Sequence, residues 1–266
     1  MTLRVAVTGA SGRMGQAVAL AVAADTNAEL VSLIARPGSD LVGQPINSVC
    51  ASVTSDRAVL DSLDLENIDV VIDFTLPEST LVNAEACARA GVPVVIGTTG
   101  FSESQQAQLN DCLAPVARCQ AANFSTGVNL TYQLLAMAAR VMGDQSDIEI
   151  HEAHHKHKLD APSGTALSMG EAVATAMGKE LNDLARFDRS SSREARELGS
   201  IGFSVTRAGD IVGEHTVLFA GEGERIELTH KAESRAAFAS GALRAAHYIT
   251  GRPAGAYTMV DVLGLS

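Results

Sequence analysis

Leu3-Arg-Val-Ala-Val-Thr8-Gly9-Ala-Ser-Gly12-Arg-Met-Gly15 is the stretch that decides the architecture of this chain. Leu3 to Thr8 is a short apolar run rich in valine, the pattern of a buried strand. The alanine- and valine-rich residues after Gly15 keep a helical rhythm to about Ala24. Between the two, glycines recur at every third position. Glycine lets the backbone approach a phosphate closely, and a helix N-terminus offers unpaired N–H groups and partial positive charge, so the turn suits the diphosphate of a dinucleotide. Its spacing departs from the commoner G-x-G-x-x-G, and a tight strand-to-helix turn without any ligand is the alternative. Context favours the nucleotide, because a second apolar run, Leu30 to Ile34, completes a strand-helix-strand unit.

That second run ends at Ala35-Arg36. Sites that prefer NAD usually offer an Asp or Glu here to the ribose 2′-hydroxyl. Arg36, helped by Arg13, instead suits a 2′-phosphate, whose geometry a guanidinium fork matches. NADPH is therefore the expected cofactor, with NADH usable as a second. The alternative is that Arg36 merely starts a solvated loop.

Further along, Asp69 to Phe74 and Val92 to Ile96 are buried-strand patterns, and Thr75 opens a helix to about Ala90. Ser102 and Gln105 have capping-box spacing for another helix, and Val116 to Ala121 reads as one more strand. Strands alternating with helices imply a parallel sheet covered on both faces. After Asn123 the character changes. Val128 to Val141 is a long apolar helix and Asp147 to Glu152 alternates like a half-buried strand. Gly202 to Arg207, Thr216 to Ala220 and Arg225 to Lys231 are strand patterns between Gly-rich turns, which points to an antiparallel or mixed sheet. Residues 182–199 read as an exposed polar loop, and Ala236 to Thr250 as a final helix that returns with the tail to the first domain. The expected fold class is α/β. A dinucleotide-binding domain with a mainly parallel sheet takes residues 1–126 and 236–266, and an α+β domain with a mixed sheet takes 127–235.

Composition sets limits on function. With 266 residues the chain has room for two modest domains, and 46% hydrophobic content with only 4% aromatics and no Trp suits small-residue helices packed on a valine-rich sheet. A net charge of −11 argues against nucleic acid or an anionic membrane as partner, so any anionic ligand needs a local concentration of positive groups. Cys50, Cys87, Cys112 and Cys119 are scattered without metal-like spacing, as reduced thiols in a cytoplasm would be. No signal-peptide pattern opens the chain and no apolar run approaches about 18 residues, so a cytoplasmic protein is expected.

The local concentration lies between Glu149 and Ala166: Glu149-Ile-His-Glu-Ala-His-His-Lys-His-Lys-Leu-Asp-Ala-Pro-Ser-Gly-Thr-Ala166. It holds four of the seven histidines and two lysines. Crowding such groups disfavours their charged forms, so a cluster of them usually holds an anion or moves a proton, the alternative being a solvated loop. His151-Glu-Ala-His-His155 formally matches the zinc-protease pattern H-E-x-x-H. That pattern works on a helix, where residues four apart are about 6 Å from each other. Here Ile148 and Ile150 alternate as in a strand, where the same separation is about 13 Å, so no metal site is expected. Ser163, Gly164 and Thr165 lie at the start of a helix reaching Met177. There backbone N–H groups and a hydroxyl can hold a carboxylate, and ordinary capping can coexist with that role.

Several motifs taken together resemble one family. Gly9-Ala-Ser-Gly-Arg-Met-Gly15, Asp73-Phe-Thr, Gly97-Thr-Thr-Gly-Phe101, Ala122-Asn-Phe-Ser125, Glu152-Ala-His-His-x-x-Lys158-x-Asp-Ala-Pro-Ser-Gly-Thr165 and Arg207-Ala-Gly-Asp-Ile-Val-Gly-Glu-His215 closely resemble 4-hydroxy-tetrahydrodipicolinate (dihydrodipicolinate) reductases, over essentially the whole chain. The resemblance implies a Rossmann-type first domain, a second domain that binds substrate and tetramerises, and an NAD(P)H-dependent reduction of a cyclic imine dicarboxylate in lysine and diaminopimelate synthesis. It assigns His154 to proton donation or acceptance and Lys158 to proton donation. His155, Lys158, Gly164 and Thr165 would bind substrate, with Ser163 from the helix-start argument. Gly9, Ala10, Ser11, Gly12, Arg13 and Met14, then Gly97, Thr98 and Thr99, then Ala121, Ala122, Asn123 and Phe124, would line the cofactor. His151 and His157 fall outside the shared pattern and take no role. Some members carry an acid where this chain has Ala35, which weakens the case for efficient NADH use.

Closure of the two domains around their ligands is expected, with hinges near residues 123–128 and 235. The rival from another class is a regulator that binds NADPH and an acidic metabolite without turning either over. A more distant enzyme alternative is another two-domain reductase of amino-acid-derived imines or aldehydes.

Overall fold

The computed structural model describes residues 2–53 and 55–265. Two compact units emerge: one runs from the N-terminus to Thr126 and resumes at Arg235, and the other is Gly127–Ser234.

In the first unit the chain runs β1 (Leu3–Thr8), α1 (Arg13–Ala24), β2 (Ala28–Ile34), a short α2 (Ile46–Val49), β3 (Val70–Asp73), α3 (Pro77–Ala90), β4 (Val94–Ile96), α4 (Glu103–Cys112) and β5 (Ala117–Gln120). In the second follow α5 (Thr126–Met142), β6 (Asp147–His154), α6 (Gly164–Ala176), α7 (Leu181–Leu184), β7 (Ala185–Arg186), β8 (Ile201–Arg207), β9 (Gly213–Ala220) and β10 (Arg225–Ala232). The chain then returns to the first unit as α8 (Ala236–Ile249), β11 (Gly255–Tyr257) and α9 (Met259–Leu263).

The first sheet has the order β11-β5-β4-β3-β1-β2 with every pairing parallel. A parallel sheet must be covered on both faces, and the side-chain alternation of its strands divides them cleanly. Val5, Val7, Val70 and Ile72 pack with Val18 and Val22 of α1 and with Ala239, Ala242 and Ala246 of α8. Ala6, Val71, Val94 and Ile96 face the other way, into Ala84 and Cys87 of α3 and Leu109 of α4. Full burial of a valine such as Val18 or Val22 stabilises by about 1.5–3 kcal/mol, so the apolar stripe of α1 holds it on the sheet more firmly than helix propensity does. The expected capping box is present: Ser102 Oγ accepts from the Gln105 amide, and the Gln105 side chain accepts from the Ser102 amide.

The second sheet, β10-β9-β6-β8-β7, is mixed. β9 runs antiparallel to both β6 and β10, while β8 is parallel to β6 and to β7. Ile148 and Ile150 of β6, Ile201 and Phe203 of β8, and Val217 and Phe219 of β9 form its buried face with Met169 and Val173 of α6 and Leu135 of α5.

One expectation needs correction. Residues 182–199 are not loop throughout, because Leu181–Leu184 is a helical turn and Ala185–Arg186 is an edge strand whose backbone pairs with Ile201 and Gly202. β11 and α9 were also not anticipated. Gly255–Tyr257 is too short to show a period and is a strand only because β5 offers it an open edge.

Candidate active site

In the first unit the strand order reverses at β1, which has β2 on one side and β3 on the other. Ligands of open α/β sheets bind beyond the carboxyl ends of the strands at such a switch point. The Gly9–Gly15 turn occupies that position. Gly9 has φ +86°, and a Cβ on it would lie 2.4 Å from the Phe74 carbonyl oxygen, while one on Gly15 would lie 2.1 Å from the Gly9 oxygen. Both glycines are therefore dictated by steric contact. The amides of Gly9 and Ala10 donate to the Ile34 carbonyl at 3.0 and 2.9 Å, tying the turn to the end of β2, two residues before the exposed Arg36. Gly12 caps α1 without a side-chain hydrogen bond and no acid lies in the first turn, so the helix start keeps its N–H groups and positive end available to an anion.

Gly97, Thr98 and Thr99 follow β4, and Ala121 to Phe124 follow β5, at the same ends of neighbouring strands. Thr98 is buried, and its hydroxyl donates to Asp73 Oδ1 at 3.0 Å while accepting from Thr80 at 2.8 Å. The fully buried Asp73 also accepts from the Thr75 hydroxyl at 2.8 Å and from Asn83 at 2.7 Å. This network locks the end of β3 to the end of β4. With the Thr98 hydroxyl engaged and the Phe124 ring buried edge-on against Phe74, both residues have only main chain to offer a ligand.

In the second unit the buried face of β6 changes character along its length. Ile148, Ile150, Glu152 and His154 share that face, apolar at one end and ionic at the other, while His151 points outward to Ser204 Oγ at 3.1 Å. Glu152 is fully buried and accepts four hydrogen bonds. These come from Arg207 Nη1 and Nη2, both at 2.8 Å, from His154 Nδ1 at 2.6 Å and from the Ser163 amide at 2.9 Å. Register puts Arg207 of β8 opposite His154, and His215 of β9 opposite Glu152. Burial pushes the Glu152 carboxyl upward, but the bonds from Arg207, His154 and Ser163 outweigh it and hold the group below its ordinary value. Burial also lowers His154, against the pull of Glu152, and brings His215 down to about 4.

The His215 ring meets His154 edge-on, with centroids 5.1 Å apart, and its Nε2 is 3.0 Å from Ser163 Oγ. Ser163 Oγ also caps α6 by accepting from the Ala166 amide at 3.2 Å. Space beside Gly164 is open, so the first amides of α6 remain approachable. Lys158, half-buried in the loop between β6 and α6, pairs with Asp160 at 2.9 Å. The fold thus gathers His154, His155, Lys158, Ser163, Gly164 and Thr165 at one strand end and helix start. Sequence reasoning missed Glu152, Arg207 and His215 as members of the cluster. Extending the Ile148-Ile150 alternation by two further steps reaches Glu152 and His154, a signal that was available.

No group of three or more metal-ligating side chains is gathered among the described residues, and no described helix is long and apolar enough to cross a membrane.

A nucleotide-type glycine turn at the switch point of a parallel sheet, in one chain with a buried imidazole–carboxylate cluster, defines a two-domain pyridine-nucleotide oxidoreductase. The family profile for the N-terminus of dihydrodipicolinate reductase matches residues 3–124, and that for its C-terminus matches 127–263. The chain is 51% identical to the 4-hydroxy-tetrahydrodipicolinate reductase of Alkalilimnicola ehrlichii, over all of both chains. It is 52% identical to the enzyme of the same name from Thiobacillus denitrificans, again over all of both. Among solved structures, a dipicolinate-bound dihydrodipicolinate reductase from Paenisporosarcina sp. TG-14 superposes with a TM-score of 0.75 at 27% identity, covering 98% of this chain and 99% of that one. The chain belongs to the dihydrodipicolinate reductase family.

Proposed function

We infer that the chain reduces 4-hydroxy-tetrahydrodipicolinate, by way of dihydrodipicolinate, to tetrahydrodipicolinate in lysine and diaminopimelate biosynthesis, with NADPH preferred over NADH. The observation that carries this reading is the gathering of His154, His155, Lys158 and the open start of α6 at one end of β6, a set suited to a dicarboxylate that must also receive a proton.

The first unit fits a dinucleotide. Its turn has no room for a Cβ at Gly9 or Gly15, and α1 is left without an acid or a side-chain cap. Gly9 to Met14 hold the diphosphate by main-chain amides, Gly97 to Thr99 and Ala121 to Phe124 flank it, and Arg36 with Arg13 meets the 2′-phosphate. When bound, the nicotinamide supplies the hydride. The residues of the second unit bind, orient and protonate. Amides of Gly164 and Thr165 and the groups of His155 and Lys158 hold the ring carboxylates. Loss of water leaves a conjugated imine that accepts hydride at one ring carbon, and the Lys158 ammonium gives a proton to the adjoining position while His154 exchanges protons beside it. To do so, Lys158 exchanges Asp160 for a substrate carboxylate. A homotetramer working in the cytoplasm completes the proposal, and its mass is checked by light scattering.

The deciding experiment follows NADPH absorbance after addition of freshly generated 4-hydroxy-tetrahydrodipicolinate. Oxidation of NADPH in proportion to substrate is expected. Binding of both without oxidation would overturn the enzyme in favour of a metabolite-sensing regulator.

A further inference from the structure

Every bond to Glu152 comes from a group with a stake in the proposed site. Its Oε2 takes the His154 Nδ1 proton at 2.6 Å, its Oε1 takes the Ser163 amide at 2.9 Å, and Arg207 bridges both oxygens at 2.8 Å. One buried carboxylate therefore grips the imidazole at the end of β6 and the turn that starts α6. An ionised carboxylate has no hydrogen to give, so the Nδ1 facing it must be the donor. Neutral His154 then carries its proton on Nδ1 and keeps a lone pair on Nε2. That Nε2 lies alongside Gly213 of β9, where an added Cβ would come within 3.1 Å of it. The arrangement leaves Nε2 as the atom free to accept and return a proton, and the absence of a side chain at residue 213 gives it room.

We propose that Glu152 is a positioning residue of the reductase site: it sets the tautomer and orientation of His154 and, through the Ser163 amide, holds the helix start that binds carboxylate in the same frame. Arg207 supplies the compensating charge that lets a carboxylate stay ionised without water. Arg207 also donates to the Asp160 carbonyl, so it steadies the loop that carries Lys158 as well. Glu152 touches no substrate in this scheme and acts only through its neighbours. The proposal rests on the reading that His154 exchanges a proton during turnover.

The groups that face His154 are Glu152 on its own strand, Arg207 on β8, His215 on β9 and Lys158 in the following loop. Of these only Glu152 favours the imidazolium, while Lys158 and Arg207 oppose it. Replacing Glu152→Gln keeps the shape and removes the charge. The expected result is a kcat at least about tenfold lower, with the His154-dependent limb of the pH–rate profile displaced toward acid. Wild-type kcat with an unmoved limb in E152Q would overturn the role of Glu152. A second measurement needs no variant: nitrogen-15 NMR of the wild-type imidazoles at neutral pH should show His154 protonated on Nδ1, and a proton on Nε2 would sink the proposal even if E152Q failed to fold. The two readings separate cleanly. If His154→Gln turns over like wild type, the assignment of His154 falls; if His154→Gln is impaired and E152Q is not, only the positioning role falls.

Discussion

Ser163 Oγ lies 3.0 Å from His215 Nε2, and both residues are buried. The hydroxyl that caps α6 is thereby joined to an imidazole held neutral, with a pKa brought down by burial from 6.5 to about 4. Protonating His215 in the fold would place a cation among His154, His230 and Lys158, all of which oppose it.

Above pH 6.5 His215 is neutral in both the folded and unfolded chain, and its contribution is fully present. Between 6.5 and about 4 the unfolded chain takes up a proton that the fold refuses, so stability falls with falling pH, by up to about 3 kcal/mol. His154 and Glu152, both also held below their ordinary values, act in the same direction. Thermal unfolding across this range should show a declining Tm, and His215→Asn should flatten the decline. An equally steep decline in the variant would refute the assignment.

Gly15→Ala drives a methyl group into the Gly9 carbonyl, which a Cβ would approach to 2.1 Å. The turn must open or α1 must retreat from the sheet, at a cost of about 1–3 kcal/mol. NADPH affinity should be lost along with part of the Tm. Calorimetric titration that finds nucleotide binding undiminished would count against the turn as the diphosphate cradle.

Arg36 is exposed two residues beyond the end of β2, whose last carbonyl, that of Ile34, is tied to the glycine turn. Arg36→Ala should lower kcat/KM for NADPH about tenfold or more, the worth of a charged hydrogen bond, and leave NADH nearly unchanged. Equal losses with both nucleotides would remove the 2′-phosphate role.

Lys158 is held by Asp160 at 2.9 Å on the loop between β6 and α6. Lys158→Ala should lower kcat by roughly a hundredfold or more, in keeping with loss of a general acid, while the Kd for NADPH stays as in wild type. Turnover at the wild-type rate would exclude Lys158 from proton delivery.

Much of this molecule is legible residue by residue. The strand-turn-helix from Leu3 to Ala24 can be read because alternation, helical rhythm and glycine sterics act over a few neighbouring residues. The same holds for the strand that carries His154 and for the capped start of α6. Local chemistry also exposed the zinc pattern as an accident, since Asp147–His154 is a strand with His151 on its outer side. Conversely, nothing within a few residues of Ala185 or Gly255 announces an edge strand, because such short segments become strands only where another strand offers unpaired backbone.

What the chain's order of residues determined by itself was the set of chemical groups and the elements that carry them. Tertiary structure alone decided how the ionic end of β6 is wired. Arg207 comes to Glu152 from 55 residues further along, and His215 reaches Ser163 across 52, because β8 and β9 flank β6 in one register and no other. That register is set by packing Ile148, Ile150, Ile201, Phe203, Val217 and Phe219 into a common core, and a buried carboxylate persists at its edge only because those strands deliver a guanidinium to it.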